Sequence, residues 1–213
     1  HGCVTSVLNL AILMLGDQGS YMNGSLNVMY AATALVAAPG ILGALGHRRA
    51  LIAGASMYCI YVMALPLCLI AESAAAKSAL ALGGGCIGGI AAGFLWTAQG
   101  AYFAASAQLY AAAAGSADAT AAAPNAPTPL EQATSAFAAL FGAFYLGFEL
   151  LLKMLPLVLS LVEQAIDPSV ASHGGGQLTT SRIIVAVAYS ACAIASAVGL
   201  TTIWDLEQRK KDA

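Results

Sequence analysis

Charge is scarce in this sequence. Only 8% of its 213 residues are Asp, Glu, Lys or Arg, where a soluble domain carries about 25%, and that shortage excludes a single soluble core of this size. The eight basic residues are spread along the chain and the net charge is −2, so no basic surface for nucleic acid is expected. The three histidines, His1, His47 and His173, fall at the chain end and in two expected loops, which leaves no metal site. The five cysteines stand singly in apolar runs with no C-x-x-C and read as small packing residues. There is no G-x-S-x-G, no compact Ser, His and acid set, and no paired carboxylate in the apolar runs, so neither an enzyme nor a cofactor is expected.

What is there is apolar length. Hydrophobic residues make up 60% of the chain, and a bilayer core needs about 20 mostly apolar residues per helix. Length and breakers predict an all-α, polytopic transmembrane bundle of six spans: Gly2 to Leu15, Asn27 to Leu45, Ala50 to Ile70, Ser78 to Ala105, Gln132 to Val162 and Ser181 to Trp204. The first run is too short to cross alone, so the sequence is expected to start partway through a first span. Asn27 at the start of the second reads as a helix cap, and the fifth is long enough to demand tilt, a kink at Pro156 or an interfacial extension. Residues 106–131 turn to Ala, Pro, Thr and Asp and read as a solvated connector. Arg48 and Arg49 between spans two and three, with Arg209, Lys210 and Lys211 in the tail 205–213, set these segments and both chain ends on the cytoplasmic side. The opposite side carries Lys77 and Arg182, and Asn23, in the sequon Asn23, Gly24, Ser25, is then an external glycosylation candidate.

Gly83, Gly85 and Gly88 spell a formal G-x-G-x-x-G. No strand precedes it and no acidic residue stands about 20 positions on, so it is not read as a dinucleotide fingerprint. Gly85, Gly89 and Gly93 instead recur every fourth residue, the small-residue face by which membrane helices approach closely.

Glu149 and Lys153 are one helical turn apart in the fifth span, in the order that favours an ion pair. Ionisable groups at membrane depth are costly and mark substrate or proton paths; the competing reading is a lysine snorkelling to the interface beside a neutralising glutamate. In the fourth span Thr97, Gln99 and Tyr102 either bridge helices or line a cavity, and Trp96 is either an interface anchor or a cavity wall.

Local patterns add a resemblance. "GFLWTAQGAYF", Gly93 to Phe103, resembles the fourth-span signature of the uncoordinated-ninety-three-like family, the ion channel regulatory proteins of the major facilitator superfamily. "GSLN" (Gly24 to Asn27), "APGILGALGHRRALIAGASMYCIYVMAL" (Ala38 to Leu65) and "FAALFGAFYLGFE" (Phe137 to Glu149) follow in the family's order. The loop "GHRRA" lacks the Asp of the wider superfamily's signature, and Glu149 stands where the family more often has an uncharged polar residue. The resemblance implies the N-terminal six-helix half of a two-half transporter, rocking about a central site, to which Glu149, Lys153, Gln99, Tyr102, Trp96 and Thr97 contribute. It also implies an alternative, a regulatory or trafficking partner of another membrane protein, which calls for an open groove along Gly85, Gly89 and Gly93. The expected partners are the lipid bilayer, a missing C-terminal half or second copy of this chain, and, on the alternative, a further membrane protein.

Overall fold

The computed structural model describes residues 2–115, 127–166 and 180–202. Every regular element among them is helical: α1 (Gly2–Leu15), α2 (Asp17–Ala32), α3 (Ala38–Ile70), α4 (Ala74–Gly115), α5 (Pro129–Ile166) and α6 (Thr180–Leu200), with one π-helical turn, Thr33–Ala37, joining α2 to α3. Four continuous stretches are long and apolar enough to cross a membrane, namely Asp17–Ile70, Ala74–Ala113, Pro129–Val158 and Ile183–Leu200.

The first of these has 54 residues, roughly 80 Å of helix against a hydrocarbon core of about 30 Å, so it has to fold back. It does so at Gly46, whose φ of 72° and ψ of 163° lie in a region only glycine tolerates. Gly46→Ala is therefore expected to cost about 2 kcal/mol and to lower the midpoint of thermal unfolding in detergent, whereas Gly43→Ala, in open space on the same helix, raises it or leaves it unchanged.

Contacts fix the directions. Gly84 faces Ala64, Gly88 faces Tyr61 and Gly54 faces Leu95, so α3 beyond the break runs antiparallel to α4. Gly85 faces Met22 and Ser25, Gly89 faces Leu26 to Tyr30, and Gly93 faces Thr33 and Ala34, so α2 runs parallel to α4. At Gly93 an added Cβ would stand 2.6 Å from the Thr33 Cβ; only glycine allows this approach. α5 runs back along α4 through edge-on aromatic pairs, Trp96 with Tyr145 and Phe103 with Phe137. Tyr189 of α6 bonds the Leu152 carbonyl of α5. The chain thus winds up and down around α4, whose Ala81, Ala91, Ala92, Phe94, Leu95 and Ala98 are buried.

The two ends of the bundle are tied differently. At one, Arg48 donates through Nη2 to the Thr201 carbonyl at the end of α6 (2.8 Å), a cation where a helix leaves its carbonyls unpaired. At the other, the Ser78 hydroxyl donates to the Gln18 amide oxygen (2.9 Å). Arg49 is exposed, and Arg209, Lys210 and Lys211 lie outside the described residues.

Helix boundaries move, most of all at α2 and at the connector before α5. α2 begins at Asp17, not Asn27, because polar donors along it find acceptors within the bundle: Asn23 donates to the Leu8 carbonyl (2.7 Å) and Ser25 to the Met22 carbonyl (3.0 Å), while the Asn23 amide oxygen is buried without a partner. Asn27 is accordingly not a cap but an interior residue donating to the Asn23 carbonyl, and the half-buried Asn23 amide, packed on α1, is not the exposed loop acceptor the sequon suggested. The connector is shorter than 106–131, with α4 reaching Gly115 and α5 starting at Pro129. There Thr128 and Glu131 exchange bonds, the Glu131 carboxylate accepting from the Thr128 N–H (2.7 Å) and the Thr128 hydroxyl accepting from the Glu131 N–H (3.3 Å), a capping box with proline at the first helical position. α5 then continues through Pro156 to Ile166.

Candidate functional site

The one ion pair among the described residues joins Glu149 and Lys153, Oε1 to Nζ at 2.6 Å. Both lie on α5, one turn apart, where the helix order of acid before base aligns the pair with the helix dipole. The Glu149 side chain is 16% exposed and that of Lys153 43%, so the carboxylate sits in the seam and the ammonium at its rim.

The helical register sets the depth of the pair. With Trp96 opposite Tyr145 and Gly88 opposite Tyr61, Glu149 is level with about Ala92 on α4 and Met57 on α3, and Lys153 with about Gly88 and Tyr61, counting 1.5 Å of rise per residue. These positions bracket the middle of the helix that runs from the Gly46 break to Ile70. The only full charges on α5 between Glu131 and Pro156 thus lie half-way up the bundle.

Two helices, α1 and α5, meet at the carboxylate, with α4 behind them. Gly2 of α1 stands against the Glu149 backbone, since a Cβ there would meet its Cα at 3.5 Å. The hydroxyls of Tyr145 and Thr5 reach the Glu149 carboxylate, while the Thr5 hydroxyl proton is given to the Gly2 carbonyl (3.1 Å). Behind Tyr145, Trp96 meets it edge-on at 6.2 Å and Phe141 stacks on it at 5.6 Å. The Trp96 indole N–H, which can only donate, bonds the buried Tyr58 hydroxyl of α3. Tyr58 and Trp96 thus form one polar contact and Tyr145 and Glu149 another, joined by the edge-on packing of Trp96 against Tyr145.

The residues singled out in the sequence divide accordingly. Glu149, Lys153 and Trp96 belong to this cluster. Gln99 is half-buried one turn from Trp96 on the side of α4 that also carries Phe103. Tyr102 packs against the buried core. Thr97 is exposed and its hydroxyl turns back to the Gly93 carbonyl (3.0 Å), so it stands apart from the pair. Gly85, Gly89 and Gly93 form the seat of α2 and offer no open groove. Thr5, Tyr58 and Tyr145 are members that sequence reasoning missed. No short-range pattern links them to Glu149 except the i,i+4 spacing of Tyr145, which would have placed that hydroxyl on the pair's own face. Neither family models, curated proteins nor solved structures yield a match to this chain.

Proposed function

We propose that this chain is the first half of a membrane transporter of the major facilitator type, with six spans and with Glu149 and Lys153 in its solute path. The observation that carries the reading is the place of the pair: two opposite charges at mid-height of an otherwise apolar bundle, held by hydroxyls from two helices. Membrane helices rarely keep ionisable groups there unless they serve a path or a proton relay. The tie between Arg48 and the end of α6 fits an arrangement in which that end faces the cytoplasm. A purely partner-binding role drew on a groove along Gly85, Gly89 and Gly93, and α2 occupies that face.

The test is access from both sides. In the full-length protein with its native cysteines replaced, Lys153→Cys is expected to react with a membrane-impermeant maleimide added to either side of oriented vesicles, as alternating access requires. Reaction from neither side would abandon transport for a structural or partner-binding role. Reaction from one side only would leave a snorkelling lysine.

A further inference from the structure

We infer that the Glu149–Lys153 site takes an organic monocarboxylate together with one proton, an assignment that rests on the transport reading above. At mid-height the site is neutral as it stands, one carboxylate on one ammonium at 2.6 Å, and a net charge at that depth is strongly disfavoured. Lys153 spends one of its three N–H donors on Glu149 and is the more exposed partner, so an incoming group meets the ammonium first. An anion that takes Lys153 away leaves Glu149 as a second negative charge, unless Glu149 picks up a proton. A cation faces the reverse problem, because displacing Lys153 from Glu149 leaves the ammonium as a second positive charge at that depth.

The surroundings of Glu149 suit both protonation states. Tyr145 can donate to the ionised carboxylate. The Thr5 hydroxyl reaches both the Gly2 carbonyl and Glu149, so it can donate to the ionised carboxylate or, turned to Gly2, accept from a protonated carboxyl. The elements packed against α5 are α1, α4 and α6; beside Tyr145 on α5 itself, the titratable groups they carry near the pair are Cys3 on α1, Cys86 on α4 and Tyr189 on α6, none of them a carboxylate or an amine. Lys153 is the charge that acts on Glu149. The aromatic wall of Trp96, Tyr145 and Phe141 adjoins the pair at its Glu149 end through Tyr145, and such a flat apolar surface fits an aryl or similarly flat body on the carboxylate. In the exchange no bond other than hydrogen bonds changes: the ligand carboxylate replaces Glu149 on Lys153, one proton from solvent binds Glu149, and the site stays neutral.

The experiment is titration calorimetry on the full chain in nanodiscs with benzoate as the probe, in two buffers of different ionisation enthalpy. Uptake of about one proton per benzoate is expected, with affinity falling about tenfold for each pH unit above neutral. Lys153→Met should abolish binding, and Glu149→Gln should bind benzoate without proton uptake and without pH dependence. Should Glu149→Gln fail to fold, the proton count of the unaltered protein decides. Benzoate binding without a proton, absence of benzoate binding, or preferential binding of benzylammonium would each overturn the inference. The maleimide result on Lys153→Cys is independent of the probe, so a wrong ligand class is separable from a wrong transport reading.

Discussion

Gly89→Leu will unfold the bundle, and Gly83→Leu, six residues earlier on the same helix, will not. A Cβ on Gly89 would stand 2.7 Å from the Met29 Cβ and 2.9 Å from the Tyr30 backbone nitrogen, with the Leu26 carbonyl closer still. Two of those three neighbours are backbone atoms of α2 and have no rotamer to escape into. α2 therefore has to move off α4, losing the close contact along Gly85, Gly89 and Gly93 that substitutes here for the hydrophobic drive absent between helices in lipid. Overpacking of this kind costs about 3 kcal/mol or more. Gly83 has nothing within 4 Å of an added Cβ, and a helical leucine gains up to about 1 kcal/mol over glycine in intrinsic preference. Thermal unfolding of the purified variants in detergent, read beside the fraction recovered as a monodisperse peak, separates the two. Equal behaviour of both variants would mean that α2 does not seat on that glycine face.

Lys153→Met is expected to destabilise the protein more than the double change Glu149→Gln with Lys153→Met. The single variant leaves Glu149 without its counter-charge half-way up the bundle, 16% exposed, and an uncompensated charge at a helix centre in the bilayer costs about 3 kcal/mol. The double variant removes both charges and keeps the shapes, and such replacements are near neutral. A double-mutant cycle on unfolding midpoints measures the coupling, which should be on the order of 2 kcal/mol. That figure exceeds the ~0.5 kcal/mol of a solvated pair at this helical spacing. A coupling at the solvated level would place the pair in water and remove the physical ground for treating it as a site.

Much of this was legible in the sequence where the local pattern itself carries the physics. Glycines every fourth residue can do little in a membrane helix except let another backbone in, and α2 is what comes in. The break before Arg48 was readable because the Gly46, His47, Arg48 and Arg49 stretch interrupts the apolar run between spans two and three, and Gly46 takes the conformation no other residue there could adopt. Acid and base four apart meet on any helix.

The misplaced start of α2 has the opposite origin. Asp17 to Asn27 looks polar to a window average, but Asn23 donates to Leu8 across on α1 and Gln18 accepts from Ser78 across on α4, partners that only the assembled bundle provides. The late start assigned to α5 was avoidable, since Thr128, Pro129 and Glu131 carry the capping box in plain order. The π-helical turn at Thr33–Ala37 lies beside the close approach to Gly93, and no local pattern announces it. Thr5 and Tyr58 reach the site only through the register of α1 and α3 against α4 and α5, a tertiary fact.

The central claim is that Glu149 and Lys153 lie at mid-depth of a membrane bundle, and depth can be measured. A nitroxide at Leu151→Cys, on the exposed face of the same turn at 68% exposure, in the cysteine-replaced full chain in a bilayer, reports its depth through the balance of relaxation by oxygen and by a water-soluble nickel chelate. The account predicts a position within about one helical turn, ~5 Å, of the bilayer centre, with a matching label at Asp17→Cys reading the interface about 15 Å away. A label at Leu151→Cys that reads the interface would contradict it, and the pair would then be a lysine and glutamate held at the water's edge.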